Sequence, residues 1–180
     1  MITPESMVEL RFRHMQLEDI EQVYAIDVLS FALPWSERSY RYELTENQNS
    51  RTWVAEALDG RGRTRVVGEI VVWIILDEAH VATIAIQPDF RRMHIGQRLL
   101  ALALEDAVQG GAKLAYLEVR RSNLAAQNMY LQFGFAVNGL RPRYYLDNGE
   151  DALLMTLNPI QNETIRRFGG TQRPDEESAH

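Results

Sequence analysis

Two arginines that precede a helix mark the segment of this sequence best suited to chemistry. An apolar run at residues 81–86 leads through Arg91 and Arg92 into a helical pattern that opens near Ile95 and Gly96. The first turn of a helix presents backbone N–H groups without helical partners and the positive end of the helix dipole. With two guanidinium groups beside it, this turn predicts a binding site for an anion such as pyrophosphate.

A carboxylate inside an apolar strand pattern is the candidate general base. Glu118 lies between Leu117 and Val119 in the run LAYLEV. An isolated buried carboxylate is costly unless it is paired or functional, and burial is expected to raise its pKa toward the range of a useful base. The alternative is that Glu118 lies at a solvated strand end or pairs with Arg120.

Tyr130 is the candidate general acid. It lies seven residues, or two helical turns, beyond Asn123, on the face of the helix that holds its N-terminal end. Its phenol could donate a proton to a leaving group, although a tyrosine in an amphipathic helix is more commonly a core residue. Asn123 itself is a suitable helix N-cap.

Composition limits the other kinds of chemistry. The chain has 180 residues, 46% of them hydrophobic, which suits one globular domain. It has no cysteine, so a thiol nucleophile and a thiolate metal site are excluded and acyl transfer is expected to be direct. The histidines lack metal-binding spacing, so no metal site is expected, and His14 and His80 are interpreted as structural.

Charge and hydropathy bear on partners and location. The net charge of -6 argues against nucleic-acid binding and fits a basic polypeptide substrate. No apolar run is long enough to span a bilayer, and the N-terminus lacks the basic and apolar blocks of a signal peptide. The sequence therefore predicts a cytosolic, cytoplasmic protein without membrane contact.

Hydrophobic periodicity predicts a mixed α/β chain with helices flanking one sheet. Strands are predicted at residues 8–13, 51–58, 65–76, 81–86, 114–119, 135–145 and 151–157, and helices at 17–31, from Ser36, at 95–108 and at 123–132. The helix between the fourth and fifth strands predicts that these two are parallel. The polar composition from residue 159 to residue 180 predicts a disordered tail.

The segment at residues 91–96, RRMHIG, resembles the acyl-CoA-binding motif Q/R-x-x-G-x-G/A of the GNAT N-acetyltransferases. The segments FALPWSE, LEVRRSN, NMY, FGF and RYYLDNGEDALLM resemble the RimI-like branch of that superfamily, the ribosomal-protein alanine N-acetyltransferases. The similarity extends over residues 8–157.

This resemblance implies a GNAT acyl-CoA N-acyltransferase fold in a single domain at residues 1–158, with acetyl-CoA as co-substrate. It implies Glu118 as base and Tyr130 as acid. The implied cofactor contacts are Ile84, Ala85, Ile86, Arg91, Arg92, Met93, His94, Ile95, Gly96, Gln97 and Asn123, and the implied substrate contacts are Pro34, Trp35, Ser36, Tyr144 and Tyr145.

His94 departs from the motif, because it stands where the family has its first glycine. A glycine there adopts a positive φ easily, and a Cβ hinders that conformation. Histidine tolerates it better than most residues and could add a donor to the anion. The expectation is that cofactor binding is retained.

The function implied is transfer of acetyl from acetyl-CoA to the N-terminal α-amine of a protein, an N-terminal alanine of a ribosomal protein in particular. One alternative is a GNAT acetyltransferase acting on lysine side chains or small amines. Another is a non-catalytic module that binds CoA or a partner, which Glu118 and Tyr130 argue against.

Overall fold

The computed structural model describes residues 8–170 as one mixed sheet with helices on both faces. The strands are β1 (Glu9–His14), β2 (Ser50–Leu58), β3 (Thr64–Ile75), β4 (Glu78–Ile86), β5 (Leu114–Arg120), β6 (Ala136–Arg141) and β7 (Ala152–Leu157). The helices are α1 (Ile20–Ser30), α2 (Glu37–Thr45), α3 (Ile95–Gln109), α4 (Leu124–Phe133) and α5 (Asn162–Gly169). The predicted sheet flanked by helices is confirmed.

The strand order is β1-β2-β3-β4-β5-β7-β6, and only β4 and β5 are parallel neighbours among the described strands. These two strands pair over three residues each, Glu78 to His80 against Leu114 to Tyr116. Beyond His80 no β5 residue in the described range pairs with residues 81–86 of β4. The two strands therefore diverge and leave a notch in the middle of the sheet, with one edge of β4 open.

Alternating side chains of the strands build two hydrophobic cores, one on each face of the sheet. On one face α3 buries Leu99, Leu100 and Leu104 against the strands of the sheet. On the other face α1 and α2 form a second core, of which Val23 and Tyr40 are fully buried members. The first core thus holds α3 against one face of the sheet, and the second holds α1 and α2 against the opposite face.

Local capping determines where the helices begin. The Ser36 hydroxyl accepts a hydrogen bond from the Ser39 N–H at the start of α2, and Asn123 Oδ1 accepts one from the Ala126 N–H at the start of α4. Gly134, with φ of 95°, ends α4 in the left-handed conformation that glycine adopts at low cost. The predicted N-caps at Ser36 and Asn123 are confirmed.

The prediction of a disordered tail is wrong for residues 159–170. This segment forms α5, which buries Ile165 in the core beside α3 and stacks Phe168 on Phe133 at 4.6 Å between ring centroids. The averaged polarity of the segment concealed two apolar residues at i and i+3, the spacing that places both on one helix face. The rest of the predicted tail, residues 171–180, lies outside the described residues.

Ile165→Ala is expected to lower the free energy of unfolding by about 2 kcal/mol or more, because it removes a buried side chain and leaves a cavity. Arg166→Ala changes an exposed residue of the same helix and is expected to change stability by about 0.5 kcal/mol at most. Urea unfolding of both variants measures the difference. Equal stabilities would show that α5 does not support the core.

Candidate active site

The notch between β4 and β5 is lined by polar backbone on one side and by a carboxylate on the other. Residues 84–86 lie on the open part of β4, where alternate N–H and C=O groups point toward the notch without a β5 partner in the described range. Glu118 lies near the end of β5, beyond the three paired residues. An extended ligand could therefore add to the edge of β4 and end beside Glu118.

The turn at residues 91–97 leads from β4 into α3 with unusual backbone geometry. His94 is the N-cap of α3 and has φ of 60° and ψ of 16°, and Arg92 has φ of 65°. His94 thus adopts the left-handed conformation expected at the motif glycine. Its ring Nδ1 lies 2.9 Å from Gln97 Oε1, so the imidazole is held against the first turn of the helix.

Two further contacts shape this turn. The Arg91 side chain donates to the Ile86 carbonyl at 3.1 Å, which ties the turn to the end of β4. A Cβ added to Gly96 would lie 3.2 Å from the sulfur of Met129, so glycine lets α3 approach α4 closely. The open N–H groups of the first helical turn and the nearby arginines fit a pyrophosphate.

Glu118 is paired, but its partner is His80 and not Arg120. His80 Nε2 lies 2.8 Å from Glu118 Oε2, and Arg141 Nη2 lies 3.8 Å from Oε1. Because an ionised carboxylate only accepts hydrogen bonds, Nε2 must carry the proton in this contact. Arg120 instead bonds to Asp147 at 2.8 Å and to Glu150 at 3.3 Å.

The expectation that burial raises the pKa of Glu118 is wrong. The hydrogen bond from His80 lowers the pKa of Glu118 below its usual value, and the charges of His80 and Arg141 act in the same direction against the opposing effect of burial. The side chain is 14% exposed, so burial acts against this lowering of the pKa but does not outweigh the hydrogen bond from His80. Glu118 is therefore held ionised over the whole neutral range.

His80, interpreted from the sequence as a structural residue, contacts the candidate base Glu118 and packs between two aromatic rings. It stacks on Tyr116 at 4.6 Å between ring centroids and meets Trp73 edge-on at 5.5 Å. Parallel pairing of His80 with Tyr116 puts Glu118 two residues further along the same face. The alternation of apolar residues indicates which residues of each strand share a face of the sheet. Only the register between β4 and β5 shows that His80 lies beside Glu118.

Tyr130 extends from α4 and is 4% exposed. Its ring packs on Phe135 at 5.8 Å between centroids, as a core residue does. Burial, with smaller contributions from Tyr145 and Glu69, raises the pKa of Tyr130 above its usual value. The phenol therefore stays protonated at neutral pH and is available as a donor.

The predicted substrate contacts come from two loops on the face that carries Glu118. Trp35 and Ser36, in the turn after Pro34, line a cavity with Trp73 of β3. Tyr144 and Tyr145 lie between β6 and β7 and not in a strand as predicted, because β6 ends at Arg141. The Arg120 guanidinium lies 3.9 Å from the centre of the Tyr145 ring and holds this second loop beside the end of β5.

A buried carboxylate of α1 is bonded to a side chain of α2. Asp27 is fully buried, and its Oδ2 accepts a hydrogen bond from the Tyr40 hydroxyl at 2.7 Å. Burial raises the pKa of Asp27 to about 6 and raises that of the neighbouring Glu69 well above its usual value. The hydrogen bond between Tyr40 and Asp27 therefore joins α1 to α2 on either side of the Trp35 turn.

Two absences among the described residues bear on other classes of function. No group of three or more His, Cys, Asp or Glu side chains in residues 8–170 could hold a metal ion. Within the same range, none of the helices is long and apolar enough to cross a membrane.

Comparison with known proteins gives a consistent picture. The model of the acetyltransferase (GNAT) family matches residues 20–135. A Bacillus subtilis protein provisionally named a ribosomal protein bS18-alanine N-acetyltransferase is 42% identical over 143 residues, which cover 79% of this chain and 91% of that protein. The Escherichia coli protein of that name is 32% identical over 145 residues, covering 79% and 93%.

Solved structures agree with these relatives. The crystal structure of the ribosomal-protein-S18-alanine N-acetyltransferase from Escherichia coli superposes with a TM-score of 0.72 at 25% identity, covering 96% of this chain and 100% of that one. Arabidopsis thaliana NAA60 in complex with acetyl-CoA superposes with a TM-score of 0.74 at 17% identity over 83% of this chain and 98% of that one, which shows a shared fold.

Proposed function

The chain belongs to the acetyltransferase (GNAT) family and is an acetyl-CoA-dependent N-acetyltransferase, and on that premise we propose that it acetylates the N-terminal α-amine of a protein, an N-terminal alanine of a ribosomal protein. The observation that carries this proposal is the notch, which joins an anion-binding turn, an open strand edge and the ionised Glu118. The relatives named as bS18-alanine N-acetyltransferases support the choice of acceptor. A ribosomal-protein acceptor also agrees with the cytoplasmic location expected from the sequence.

The turn at residues 91–97 would hold the pyrophosphate of the co-substrate. Backbone N–H groups of Ile95, Gly96 and Gln97 open the helix, and Arg91 and Arg92 supply positive charge beside them. Asn123, the cap of α4, and Met93 complete the proposed contacts. When bound, acetyl-CoA supplies an activated acetyl thioester.

The open edge of β4 would align the co-substrate with Glu118. Backbone groups at Ile84, Ala85 and Ile86 can pair with the amide-containing arm of the cofactor as a neighbouring strand would. A β4 N–H aimed at the thioester oxygen would stabilise the negative charge that develops there. The edge is rigid because its other side is paired with β3.

Glu118 would act as the general base. An α-amine has a pKa near 8 against about 10.4 for lysine, so about a tenth of it is already unprotonated at pH 7. As the amine attacks the acetyl carbon, its nitrogen becomes positively charged and more acidic, so a carboxylate of low pKa can take the proton. The carbon–sulfur bond then breaks, and Tyr130 donates its proton to the departing sulfur.

His94→Gly is expected to leave CoA affinity unchanged or to increase it. A Cβ makes the left-handed conformation less favourable by roughly 1 kcal/mol, and the substitution removes this strain. The imidazole is held by Gln97, so its loss should remove no phosphate contact. Calorimetric titration of CoA into the wild type and the variant at pH 5.5 and 7.5 measures the change in affinity and its dependence on pH. Weaker binding by the variant, together with wild-type affinity that falls as pH rises, would assign the contact to the ring.

The acceptor is tested with peptides. A panel should contain an N-terminal alanine peptide, the same peptide with a blocked N-terminus, and a blocked peptide with an internal lysine. The expected product is acetylated only on the free α-amine, as mass spectrometry of the fragments would show. Acetylation of the blocked lysine peptide at an equal rate would favour the lysine or small-amine alternative.

The non-catalytic alternative loses its main support. That alternative depended on His94 as a departure from the glycine motif, and His94 adopts the backbone conformation that the glycine would have. The release of free CoA by the wild type with the peptide panel tests this alternative directly, because a non-catalytic module would release none.

A further inference from the structure

A cavity of about 380 Å³ lies next to the proposed acceptor site and is not used in the mechanism above. Its lining residues come from α2, the turn before it and β3: Trp35, Ser36, Arg38, Ser39, Tyr42, Glu43 and Trp73. The Trp73 ring is 5.5 Å from the His80 ring, and His80 contacts Glu118. The rings of Trp73 and His80 therefore link the cavity to Glu118, the residue proposed to take the proton of the acceptor amine.

The cavity contains a carboxylate with unused acceptor capacity. Glu43 is 8% exposed, and its Oε2 accepts hydrogen bonds from Trp73 Nε1 at 3.0 Å and Asn47 Nδ2 at 2.8 Å. Within residues 8–170 neither a hydrogen bond nor an ion pair is found on Oε1. Because Glu43 lines the cavity, Oε1 is the oxygen left to face it. A charged acceptor in this position is best satisfied by a cation.

Aromatic side chains form the walls around this carboxylate. Trp35 and Trp73 have ring centroids 6.1 Å apart and nearly parallel planes, 20° from each other. Indole faces attract guanidinium and ammonium groups and also cover the apolar stems that carry them. The tryptophan pair and the carboxylate together have the chemistry of a site for an arginine or lysine side chain.

Arg38 also lines the cavity and carries the opposite charge. It is exposed, so water and salt screen its charge, whereas Glu43 is enclosed. No ion pair joins the two side chains among the described residues. The enclosed negative charge therefore dominates the interior of the cavity, and Arg38 remains at its rim.

We propose that the cavity formed by Trp35, Trp73 and Glu43 is a subsite for a positively charged side chain at the second or third position of the acceptor polypeptide. The position follows from geometry, since the Trp73 ring lies 5.5 Å from the His80 ring and His80 Nε2 lies 2.8 Å from Glu118 Oε2, a path that two to three residues of extended chain cover at about 3.4 Å each. Arginine is preferred over lysine, because its planar group can stack on an indole and bond to a carboxylate at once. This inference rests on the proposed function.

The test compares acceptor peptides that begin with alanine and differ at one position, with Arg, Lys, Met, Gln or Glu placed second or third. The wild type is expected to prefer Arg over Met by about tenfold in kcat/KM at one of these positions, the effect of one charge-assisted hydrogen bond. Glu43→Gln is expected to abolish this preference and to leave the rate with the Met peptide within about twofold. The carbonyl of the amide that replaces the carboxylate can still accept from Trp73, so the wall is retained.

Matched variants separate the subsite from general charge effects. Glu46→Gln makes the same change on an exposed residue at the end of α2 and is expected to keep the preference for Arg. Arg38→Gln is expected to keep or increase it. Three results would each overturn the proposal. The first is equal wild-type rates with the Arg and Met peptides, and the second is a preference for the Glu peptide that Arg38→Gln removes. The third is a Glu43→Gln variant that loses the same fraction of its rate with every peptide.

Binding measurements keep this test independent of the proposed reaction. Acetylated alanine peptides that carry Arg or Met second or third cannot react, so calorimetry in the presence of CoA compares their affinities directly. Tighter binding of the Arg peptide by the wild type and not by Glu43→Gln supports the subsite even if no α-amine is acetylated. Equal binding with normal acetylation would reject the subsite and leave the proposed function intact.

Discussion

Glu118→Gln is expected to lower the rate of acetyl transfer at pH 7.5 by about 100-fold or more, the usual cost of losing a general base. The amide has nearly the shape of the carboxylate and can still accept from His80, but it cannot take up a proton. Acetyl-CoA affinity should change by about twofold at most. Single-turnover transfer and calorimetric titration measure the two quantities.

Glu78→Gln supplies the matched control, since Glu78 lies on β4 at the paired end of the notch. It is expected to transfer acetyl at about the wild-type rate. If Glu118→Gln does so as well, Glu118 has no part in proton transfer. A fall in acetyl-CoA affinity equal to the fall in rate would instead show that Glu118 shapes the cofactor site.

His80→Gln tests how the base is tuned. In the wild type the hydrogen bond and charge of His80 lower the pKa of Glu118, so the carboxylate stays ionised at pH values below its usual 4.5. Without the imidazole Glu118 should take up a proton at a higher pH. The ratio of the variant rate to the wild-type rate should therefore fall as pH decreases from about 6 toward 4.5, whereas a purely structural role would leave the ratio constant.

The backbone geometry of the turn at residues 91–97 could be predicted because its determinants are local. The arginines, the helix start and the left-handed residue all lie within residues 91–97, and the structure places His94 in the expected conformation. Helix caps at Ser36 and Asn123 were also predictable, since a cap depends on residues three positions apart. Such features require no knowledge of how distant strands pair.

The electrostatics of Glu118, the proposed base, could not be predicted because their determinants are distant in sequence. His80 is 38 residues from Glu118, and only the short parallel pairing of β4 with β5 brings the two together. Arg120, the partner that sequence proximity suggests, is engaged by acidic residues of the loop after β6. Sequence reasoning therefore identifies the carboxylate but predicts the wrong direction for its pKa.

Glu43 illustrates the same limit for substrate recognition. In the sequence it is one acidic residue in the polar helix pattern ERSYRYELT. Only the packing of α2 against β3 encloses it between Trp73 and the Trp35 turn. The prediction for residues 159–170 fails for a related reason, because average polarity does not report which side of a short helix is apolar.

Tyr130→Phe is expected to slow acetyl transfer by about 100-fold at saturating peptide and to leave stability nearly unchanged. Only a hydroxyl is removed, and the ring still packs on Phe135. The raised pKa keeps the phenol protonated at neutral pH, so it has a proton to donate as negative charge develops on the departing sulfur. Thermal melting and single-turnover transfer on the same preparations separate rate from folding.

Tyr40→Phe provides the contrasting variant, because Tyr40 is equally buried but its hydroxyl donates to Asp27 of α1. Its removal leaves a buried carboxyl short of a donor, which costs about 1–3 kcal/mol in stability. The transfer rate per folded molecule should be retained at saturating peptide. Tyr130→Phe and Tyr40→Phe are thus expected to show opposite patterns, and a Tyr130→Phe variant that loses stability but not rate would make Tyr130 a core residue without a role in catalysis.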